Sequence, residues 1–494
     1  MTPHIVEVEH PQGLDDYAAI AHLAPAVERL RTAAAQVVPD MQGRTLWMIN
    51  STAKGGGVAE MLPALVRLLR DLGMRAEWAV IETGRPEFFL LTKRIHNLMH
   101  GSGEPHFNGA DRELYEAVNR ANADALAPCL KPGDIVVVHD PQPMPLAGML
   151  REHVDVTAVW RCHIGLDEQN EQTRAAWEFL EPYAAAYAHT VFSAPEYVPP
   201  FLADRATIIH PGIDPLASKN RDMHVHELVR VLSNSALVST AGPVLRAPFI
   251  NLAKRLQPEG TFRPAIWPED IGLLVRPIVT QVSRWDRLKG YMPLLRAFVE
   301  LKRRARHDGK HFEPMHRRRL EIARLVLAGP DPEGVADDPE ATDVLTELEQ
   351  EYLGLDPALQ ADVALITLPM KAPRENALMV NALQRASSIV VQNSLREGFG
   401  LTVTEAMWKR IPVVSNSKAC GPRYQVRDGI DGRLIADPED FESLANAMID
   451  MLSDADRNDA WGKLAQRHVH DQFLVFHQLR GWMDVLGRWL RQQA

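Results

Sequence analysis

The sequence predicts an α/β protein built from two doubly wound parallel sheets. Two runs of alternating strand and helix patterns support this fold class, since a repeated βαβ order is typical of parallel sheets with helices on both faces. A stretch rich in proline and glycine, from about residue 210 to 277, separates the two runs. We therefore predict domains at residues 1–215 and 216–472, followed by a final amphipathic helix over 473–494.

The first run begins with alanine and leucine spacing that predicts a helix over residues 14–37. An apolar run at 45–50 ends in polar residues and glycines, as a buried parallel strand does when it leads into a loop. Helical spacing follows over 58–72 and ends at Gly73, a typical residue after a helix C-terminus. The remaining strands of this run are predicted at 76–82, 134–139, 156–161 and 190–193.

The second run repeats the same alternation after the proline-rich break. Strands are predicted at 278–283, 325–328, 363–368, 388–391 and 412–415. Helices are predicted at 291–305, 376–386, 400–409 and 441–452. Because the two runs are separated, we expect two sheets and not one continuous sheet.

The charge balance limits the classes of ligand. The 494 residues include 54 Lys and Arg against 64 Asp and Glu, a net charge of −10. Such a field repels phosphate, so the sequence argues against a nucleic-acid-binding protein, and any anionic ligand needs a local group of positive side chains. The N-terminus lacks the pattern of a secretory signal and the apolar runs are short, so we expect a cytoplasmic protein with no membrane partner. Three widely spaced cysteines form no metal-binding or disulfide pattern.

The strongest motif lies at residues 396–405, between a strand and a helix. Glu397 and Glu405 flank seven residues that include two glycines, which let a backbone approach a ligand closely. The helix that begins near Gly400 offers free N–H groups to a diphosphate. Glu397 could then accept hydrogen bonds from sugar hydroxyls, and Glu405 from a ribose diol. Taken alone, the motif also fits a glycine turn with a solvated glutamate.

Other polar groups stand at the carboxyl ends of predicted strands, where α/β sheets bind ligands. Arg284 and Lys289 follow one strand five residues apart and can converge on one point. The glycines at 55–57 precede an amphipathic helix, a favourable position for N–H groups to reach a sugar or phosphate. The neighbouring Lys54 either adds charge there or is simply exposed. His139-Asp140 and the 161–163 segment end two further strands.

These motifs, in this order, resemble the retaining two-domain GT-B glycosyltransferases that carry an E-x7-E signature. The similarity is strongest to the trehalose glycosyltransferring synthases and the related trehalose phosphorylases, and it extends from about residue 45 to about 440. The segments that carry it are 50–61, 137–143, 160–164, 210–216, 281–286 and 381–408. The resemblance implies two Rossmann-like domains facing a cleft, with the C-terminal helix packing back on the first domain.

The resemblance also implies the chemistry. We expect glucose transfer from a nucleoside-diphosphate-glucose to a small sugar acceptor, first of all glucose to give trehalose, with no metal and no cofactor. A homodimer is left open. The implied site residues are, as catalytic groups, Arg284, Lys289, Glu397 and His163; as donor-binding groups, Gly56, Gly57, Gly398, Phe399, Gly400, Leu401, Thr402 and Glu405; and as acceptor-binding groups, Asp140, Gln142 and Arg161. Since no carboxylate pair is arranged as in glycosidases, we hypothesise displacement on the face from which the nucleotide leaves.

Two segments depart from the family pattern. The run at 415–424 replaces a small-residue loop near the donor site, and the linker from Lys219 to Arg276 is longer and richer in proline than expected. Three alternatives therefore stay open: a trehalose phosphorylase that uses inorganic phosphate, a transferase with a glycerol- or glycerate-type acceptor, and a non-catalytic sugar-binding protein on the same scaffold. An NAD-dependent dehydrogenase is disfavoured because neither sheet carries GxGxxG with a later acidic residue.

Overall fold

The computed structural model describes residues 4–53, 56–239, 249–266, 270–307, 311–332 and 340–493. They form two compact units, which we call unit 1 (Met1–Asp214 with Gln472–Ala494) and unit 2 (Pro215–Asp471). The predicted loop residues Lys54 and Gly55 lie outside the described residues. No helix in the described ranges is long and apolar enough to cross a membrane.

Unit 1 contains a seven-stranded sheet with the order β1-β3-β2-β4-β5-β6-β7. Its strands are β1 (His4–Ile5), β2 (Thr45–Asn50), β3 (Arg75–Val80), β4 (Ile135–His139), β5 (Thr157–Cys162), β6 (His189–Phe192) and β7 (Ala206–Ile208). Every pair is parallel except β1 with β3. The helices are α1 (Leu14–Ala18), α2 (Ala24–Ala35), α3 (Gly57–Asp71), α4 (Pro86–Met99), α5 (Gly109–Leu126), α6 (Leu146–Arg151) and α7 (Glu171–Ala184).

The first predicted helix, over 14–37, is wrong as one element, because the structure divides it into α1 and α2. Pro25 explains the division. A proline inside a helix has no N–H to donate, and its ring clashes with the carbonyl four residues earlier. In the first turn of a helix neither cost arises. A new helix therefore starts around Pro25.

Unit 2 contains an eight-stranded sheet with the order β15-β14-β13-β10-β11-β12-β8-β9. Its strands are β8 (Lys254–Leu256), β9 (Phe262–Pro264), β10 (Ile278–Val282), β11 (Arg324–Pro330), β12 (Val363–Leu368), β13 (Ile389–Val391), β14 (Val413–Asn416) and β15 (Gly432–Ile435). The helices are α8 (Val225–Asn234), α9 (Tyr291–His307), α10 (Pro314–Ile322), α11 (Glu340–Leu353), α12 (Pro357–Asp362), α13 (Pro373–Arg385), α14 (Leu401–Trp408), α15 (Cys420–Gln425), α16 (Phe441–Ser453) and α17 (Ala455–Gln472).

The strand order of unit 2 places its ligand-binding edge. From β10 the chain proceeds through β11 and β12 on one side, and it then returns to β13 on the other side of β10. Strands β10 to β15 pair in parallel. In such sheets, ligands bind outside the carboxyl ends of the two strands where the order reverses. In unit 2 these are β10 and β13, and in unit 1 they are β2 and β4.

Two segments without a clear sequence pattern prove to be structured. The proline-rich stretch contributes α8, β8 and β9 to unit 2, with β8 antiparallel to β12 and β9 antiparallel to β8. Strands of three residues are too short for an alternating pattern, and Pro264 is tolerated because β9 lies at a sheet edge. The run at 415–424, interpreted as a loop, instead ends β14 and forms most of α15.

The chain returns to unit 1 at its C-terminal end. Helix α18 (Val475–Gln493) packs on α2 and α3. Just before it, Ile213 and Leu474 form a parallel bridge, in which the Ile213 N–H donates to the Phe473 carbonyl and the Val475 N–H donates to the Ile213 carbonyl, both at 2.9 Å. Trp482 lies on the buried face of α18 with 1% of its surface exposed, so the helix is part of the core of unit 1.

Candidate active site

In unit 2, the turn after β10 and the segment after β13 are held together by close contacts. Gly290 follows the turn with a φ of 65°, and a Cβ at this position would lie 2.1 Å from the Asn393 carbonyl oxygen. Only glycine fits such a left-handed and crowded position. The Leu395 N–H also donates to the Leu288 carbonyl at 2.7 Å. The two segments therefore form one rigid edge at the reversal of strand order.

Lys289 and Glu397 meet at this edge. The Lys289 ammonium donates to Glu397 Oε2 at 2.7 Å, and only 15% and 12% of their side chains are exposed. The Ser394 hydroxyl donates to the same carboxylate oxygen at 2.9 Å. The Gln281 amide fixes the turn by donating to the Lys289 carbonyl at 2.8 Å. Two residues that are 108 positions apart are thus preorganised as a nearly buried ion pair.

Arg284 lies on the same turn in a more open environment. Its side chain is 47% exposed, and its guanidinium stands 3.8 Å from the Asp286 carboxylate. Arg287, on the same turn, pairs at the surface with Glu347. The turn therefore carries two exposed cations, Arg284 and the surface-paired Arg287, and one nearly buried cation, Lys289.

The glycine segment after Glu397 leads into α14. Gly400 caps the helix in the left-handed conformation, with a φ of 78°. Leu401 and Thr402 begin the helix and are half-buried, as is Gly398. Phe399 has only 6% of its surface exposed, so its side chain belongs to the core. The backbone of Phe399, and not its side chain, is therefore suited to contact a nucleotide-sugar donor.

Glu405 lies in the second turn of α14 and is 5% exposed. Lys219 Nζ stands 3.9 Å from its carboxylate. One turn later, the Lys409 ammonium donates to the Glu405 carbonyl at 3.0 Å and to Gln384 Oε1 at 2.7 Å. Burial lowers the pKa of Lys409 to about 7. Neither lysine was predicted as a site residue, although residues four apart on a helix, such as Glu405 and Lys409, are neighbours on its surface.

In unit 1, Asp140 follows β4 with a φ of 62°. Its N–H donates to the Arg161 carbonyl, and its carboxylate accepts the N–H of His163, both at 2.8 Å. Aspartate is among the few non-glycine residues that tolerate this conformation. Burial raises the pKa of Asp140 to about 6. Two predicted site residues, Asp140 and His163, are therefore in direct contact at the ends of neighbouring strands.

A second histidine, not predicted as a site residue, contacts His163. The rings of His139 and His163 are nearly parallel, with an interplanar angle of 9° and centroids 5.4 Å apart, and His139 Nδ1 lies 3.2 Å from His163 Nε2. Burial, and then the charge of Arg161, lower both pKa values, that of His139 to about 3 and that of His163 well below its usual range. Both imidazoles are thus neutral at physiological pH.

Arg161 was predicted to bind the acceptor, but the structure places it in the core. None of its surface is exposed, and its guanidinium donates to the Ile209 carbonyl at 2.7 Å. It lies on β5, directly before Cys162 and His163. A side chain without accessible surface acts on a ligand only through its neighbours. Gln142 is half-buried, and its carbonyl accepts from Asn119 at 3.2 Å.

The predicted glycine loop of unit 1 is described from Gly56 onward. Gly56 has a φ of 80° with open space where a Cβ would project, and Gly57 begins α3. A cavity of about 580 Å³ lies at the carboxyl ends of β2 and β3, lined by residues that follow β2, such as Ser51 and Thr52, and by residues that follow β3, such as Glu82. Within the described ranges, no three His, Cys, Asp or Glu side chains are grouped as a metal site.

Two protein families match separate parts of the chain. Residues 48–199 match the family described as "Trehalose synthase, N-terminal domain". Residues 371–468 match "Glycosyl transferases group 1", a range that includes Glu397 and Glu405. The first match covers the glycine loop, Asp140 and His163. The site of unit 1 therefore lies within a matched region, whereas Arg284 and Lys289 of unit 2 lie between the two matches.

Characterised relatives align over almost the whole chain. The trehalose synthase of Pyrococcus horikoshii is 32% identical over 452 residues, 90% of each chain. The trehalose synthase of Rubrobacter xylanophilus is also 32% identical, over 91% of this chain and 92% of the relative. The trehalose phosphorylase of Grifola frondosa is 24% identical over 88% of this chain, which spans 56% of that longer protein.

Solved structures share the fold at lower identity. The trehalose 6-phosphate synthase of Burkholderia multivorans superimposes with a TM-score of 0.63 at 17% identity, over 91% of this chain and 97% of the other. A structure from E. coli, named for trehalose-6-phosphate and bound with UDP-2-fluoro glucose, also superimposes with a TM-score of 0.63 at 17% identity. The superposition covers 90% of this chain and 99% of the other. Together with the full-length relatives, these findings show that the chain belongs to the trehalose synthase family of GT-B glycosyltransferases.

Proposed function

We propose that the protein is a retaining glycosyltransferase that moves glucose from a nucleoside-diphosphate-glucose to glucose, giving trehalose. The observation that carries this proposal is the Lys289–Glu397 pair, with Arg284 on the same turn, at the strand-order reversal of unit 2. A diphosphate needs fixed cations, and a protein with a net charge of −10 must supply them locally. Full-length relatives named trehalose synthase favour this donor and acceptor class.

In this proposal, Arg284 and Lys289 stabilise the departing diphosphate. Negative charge grows on the leaving phosphate oxygen as the bond to the sugar breaks, so fixed cations aimed there favour the transition state over the ground state. The two side chains carry this charge without a bound metal, and activity is expected to be unchanged in EDTA. Glu397 accepts hydrogen bonds from the sugar hydroxyls, and Glu405 from the ribose. The backbone from Gly398 to Thr402 adds N–H groups at the start of α14.

The transfer itself occurs on one face of the sugar. The bond from the anomeric carbon to the diphosphate oxygen breaks, a bond from that carbon to the acceptor oxygen forms, and a phosphate oxygen takes the acceptor's proton. The protein supplies position and charge stabilisation. His163 contacts the transferred sugar, and Asp140 with Gln142 holds hydroxyl groups.

The test is incubation of the purified protein with UDP-, ADP- or GDP-glucose and a panel of acceptors, including glucose, glycerol and glycerate, with products identified by NMR. The expected product is trehalose with both anomeric centres α. An inverted anomeric centre contradicts retention, a glycerol-type product changes the acceptor, and absence of turnover with every pair indicates a binding protein.

A second candidate function is phosphorolysis of trehalose. The 24% identity to a trehalose phosphorylase over 88% of this chain favours it, since the same cations could hold inorganic phosphate. Thermal shifts separate the two functions. We expect a nucleoside diphosphate to raise the melting temperature more than phosphate does. Glucose 1-phosphate formed from trehalose and phosphate, without a nucleotide effect, supports the phosphorylase instead.

A further inference from the structure

A chain of buried contacts crosses three neighbouring strands of unit 1 and ends at His163. Met48 on β2 is fully buried, and its sulfur lies 3.4 Å from His139 Nε2. His139 ends β4 and is 2% exposed. Its other ring nitrogen, Nδ1, faces His163 Nε2 at 3.2 Å. The contacts therefore run from the Met48 sulfur to the His139 imidazole, and from there to the His163 imidazole.

The chemistry of these groups decides where the hydrogens lie. A thioether sulfur accepts a hydrogen bond and never donates one, so the contact with Met48 is favourable only if His139 Nε2 carries the hydrogen. A neutral imidazole has one N–H, so His139 Nδ1 is then an acceptor. The hydrogen between the rings therefore belongs to His163 Nε2. His163, also neutral, keeps Nδ1 without a proton.

We propose that His139 is a positioning residue that fixes His163 in the Nε2–H tautomer, so that His163 Nδ1 accepts a hydrogen from a hydroxyl group of the bound sugar. This inference rests on the proposed function, because it assumes that a sugar contacts His163. It adds a direction to that contact. The substrate hydroxyl donates and the protein accepts.

The surroundings support a neutral and immobile pair. The charged and titratable groups around it are Arg161, whose charge acts on both rings, Asp140, whose carboxylate accepts the His163 backbone N–H, and the Cys162 thiol. Burial and the Arg161 charge both disfavour an imidazolium. This gives Arg161 a role consistent with its burial: it keeps the pair uncharged without contacting the sugar.

The direct test is the tautomeric state of the two rings in the full-length protein, measured by long-range ¹⁵N–¹H correlation on histidine-labelled samples. His139→Gln and His163→Asn spectra assign the two residues among the 19 histidines. We expect both rings as Nε2–H tautomers from pH 6 to 8. An Nδ1–H tautomer for His163, or an imidazolium signal in that range, overturns the proposal without bearing on whether transfer occurs.

A functional test removes the Met48 sulfur. Met48→Leu conserves volume but removes the acceptor, so the His163 signals should shift toward a mixture of tautomers and kcat should fall about threefold to tenfold. Met99→Leu is the matched control, because Met99 is also buried in unit 1 but lies on α4. It should change neither quantity. Equal kcat and identical tautomers in both variants contradict the proposal.

Substitutions at His139 separate positioning from packing. Leucine at 139 offers no acceptor, whereas glutamine offers both an acceptor for His163 and a donor for Met48. We expect His139→Gln to retain at least about five times the kcat of His139→Leu at similar donor KM. Equal losses of kcat in the two variants contradict the proposal that His139 fixes the tautomer of His163. If no variant and no wild-type sample transfers glucose, the proposed function fails, while the wild-type spectrum still decides the tautomer.

Discussion

At the scale of single residues, burial determines which charges are available for chemistry. Lys289 and Glu397 are nearly buried and form an ion pair with each other. The Arg284 side chain is 47% exposed, whereas Arg161 has no exposed surface. A buried pair loses much of its solvation, and it is retained without great cost only where geometry and further hydrogen bonds compensate. Ser394 and the Lys289–Glu397 contact provide that compensation here.

Replacing Lys289 with alanine should abolish most of the activity. The variant leaves the diphosphate with one cation and Glu397 without its ion-pair partner, so we expect kcat to fall about 100-fold or more. The measurement is steady-state transfer with circular dichroism to confirm folding. Arg287→Ala is the matched control, since Arg287 lies on the same turn and pairs at the surface with Glu347. It should retain near-normal kcat, and similar losses in the two variants would contradict the role of Lys289.

Glu405 should affect donor binding more than turnover. We expect Glu405→Gln to raise the KM for the nucleotide-sugar about tenfold or more, by about the value of one charged hydrogen bond, with a smaller change in kcat. Isothermal titration with the nucleoside diphosphate measures the same loss without chemistry. An unchanged dissociation constant would remove Glu405 from the ribose site.

Asp140 makes stability depend on pH. Its pKa is raised from 3.8 to about 6 by burial, so between these values the folded protein holds a proton that the unfolded chain has released. The contribution of Asp140 to the free energy of unfolding therefore decreases as the pH rises from 3.8 to about 6. Asn has the same shape and tolerates the left-handed backbone. The melting temperature of Asp140→Asn minus that of the wild type should increase from about pH 4 to about pH 7. A constant difference would contradict this assignment.

At the residue scale, topology accounts for one contact between predicted site residues. Lys289 and Glu397 follow β10 and β13, which meet at the reversal of strand order, so their ion pair is a consequence of topology. The roles of these two residues and of Arg284 stay predictions. The sequence could not identify His139 as a partner of His163, or Met48 as its anchor. Those contacts join residues on separate strands, and they depend on side-chain directions that local patterns do not encode.

At the scale of elements, α15 packs its N-terminal glycine against the donor-site backbone. A Cβ on Gly421 would lie 2.1 Å from the Phe399 carbonyl oxygen. We expect Gly421→Ala to destabilise unit 2 by about 1–3 kcal/mol, since overpacking forces the backbone to move, and to raise the donor KM. Gly354→Ala is the control, because a Cβ there meets its nearest atom at 3.4 Å. Denaturant melts and donor titrations measure both effects; equal results for the two variants would contradict the packing role.

The elements that were predicted from the sequence are those with long apolar periods. The ten predicted strands lie within two residues of their observed bounds, because buried strands need uninterrupted apolar runs. The short parallel strands β7 and β15, at the far edges of the two sheets, were not predicted. The proline-rich stretch gave no such signal. Its helix α8 has only part of one face buried, and β8 and β9 have three residues each. Their position at the edge of the sheet is decided by tertiary pairing with β12.

At the scale of the whole molecule, the last helix stabilises the first unit. Trp482 on α18 is 1% exposed. Its truncation to alanine should cost about 3–5 kcal/mol, because a large cavity is left in the core. Hydrogen exchange should then increase in peptides from β2 to β6 and stay unchanged in those from β10 to β14. Arg488→Ala, on the exposed side of the same helix, should have little effect. Increased exchange confined to unit 2 would contradict this account.

The bridge between Ile213 and Leu474 has a consequence for the connectivity of the chain. The chain leaves unit 1 at one residue and re-enters it at a hydrogen-bonded neighbour. In terms of connectivity, unit 2 is inserted into unit 1 between two buried residues that are hydrogen-bonded neighbours. Adjacent insertion points are where proteins accept whole domains with little strain. A short peptide joining residues 213 and 474 would therefore close unit 1 on itself, with all seven strands and α18 retained.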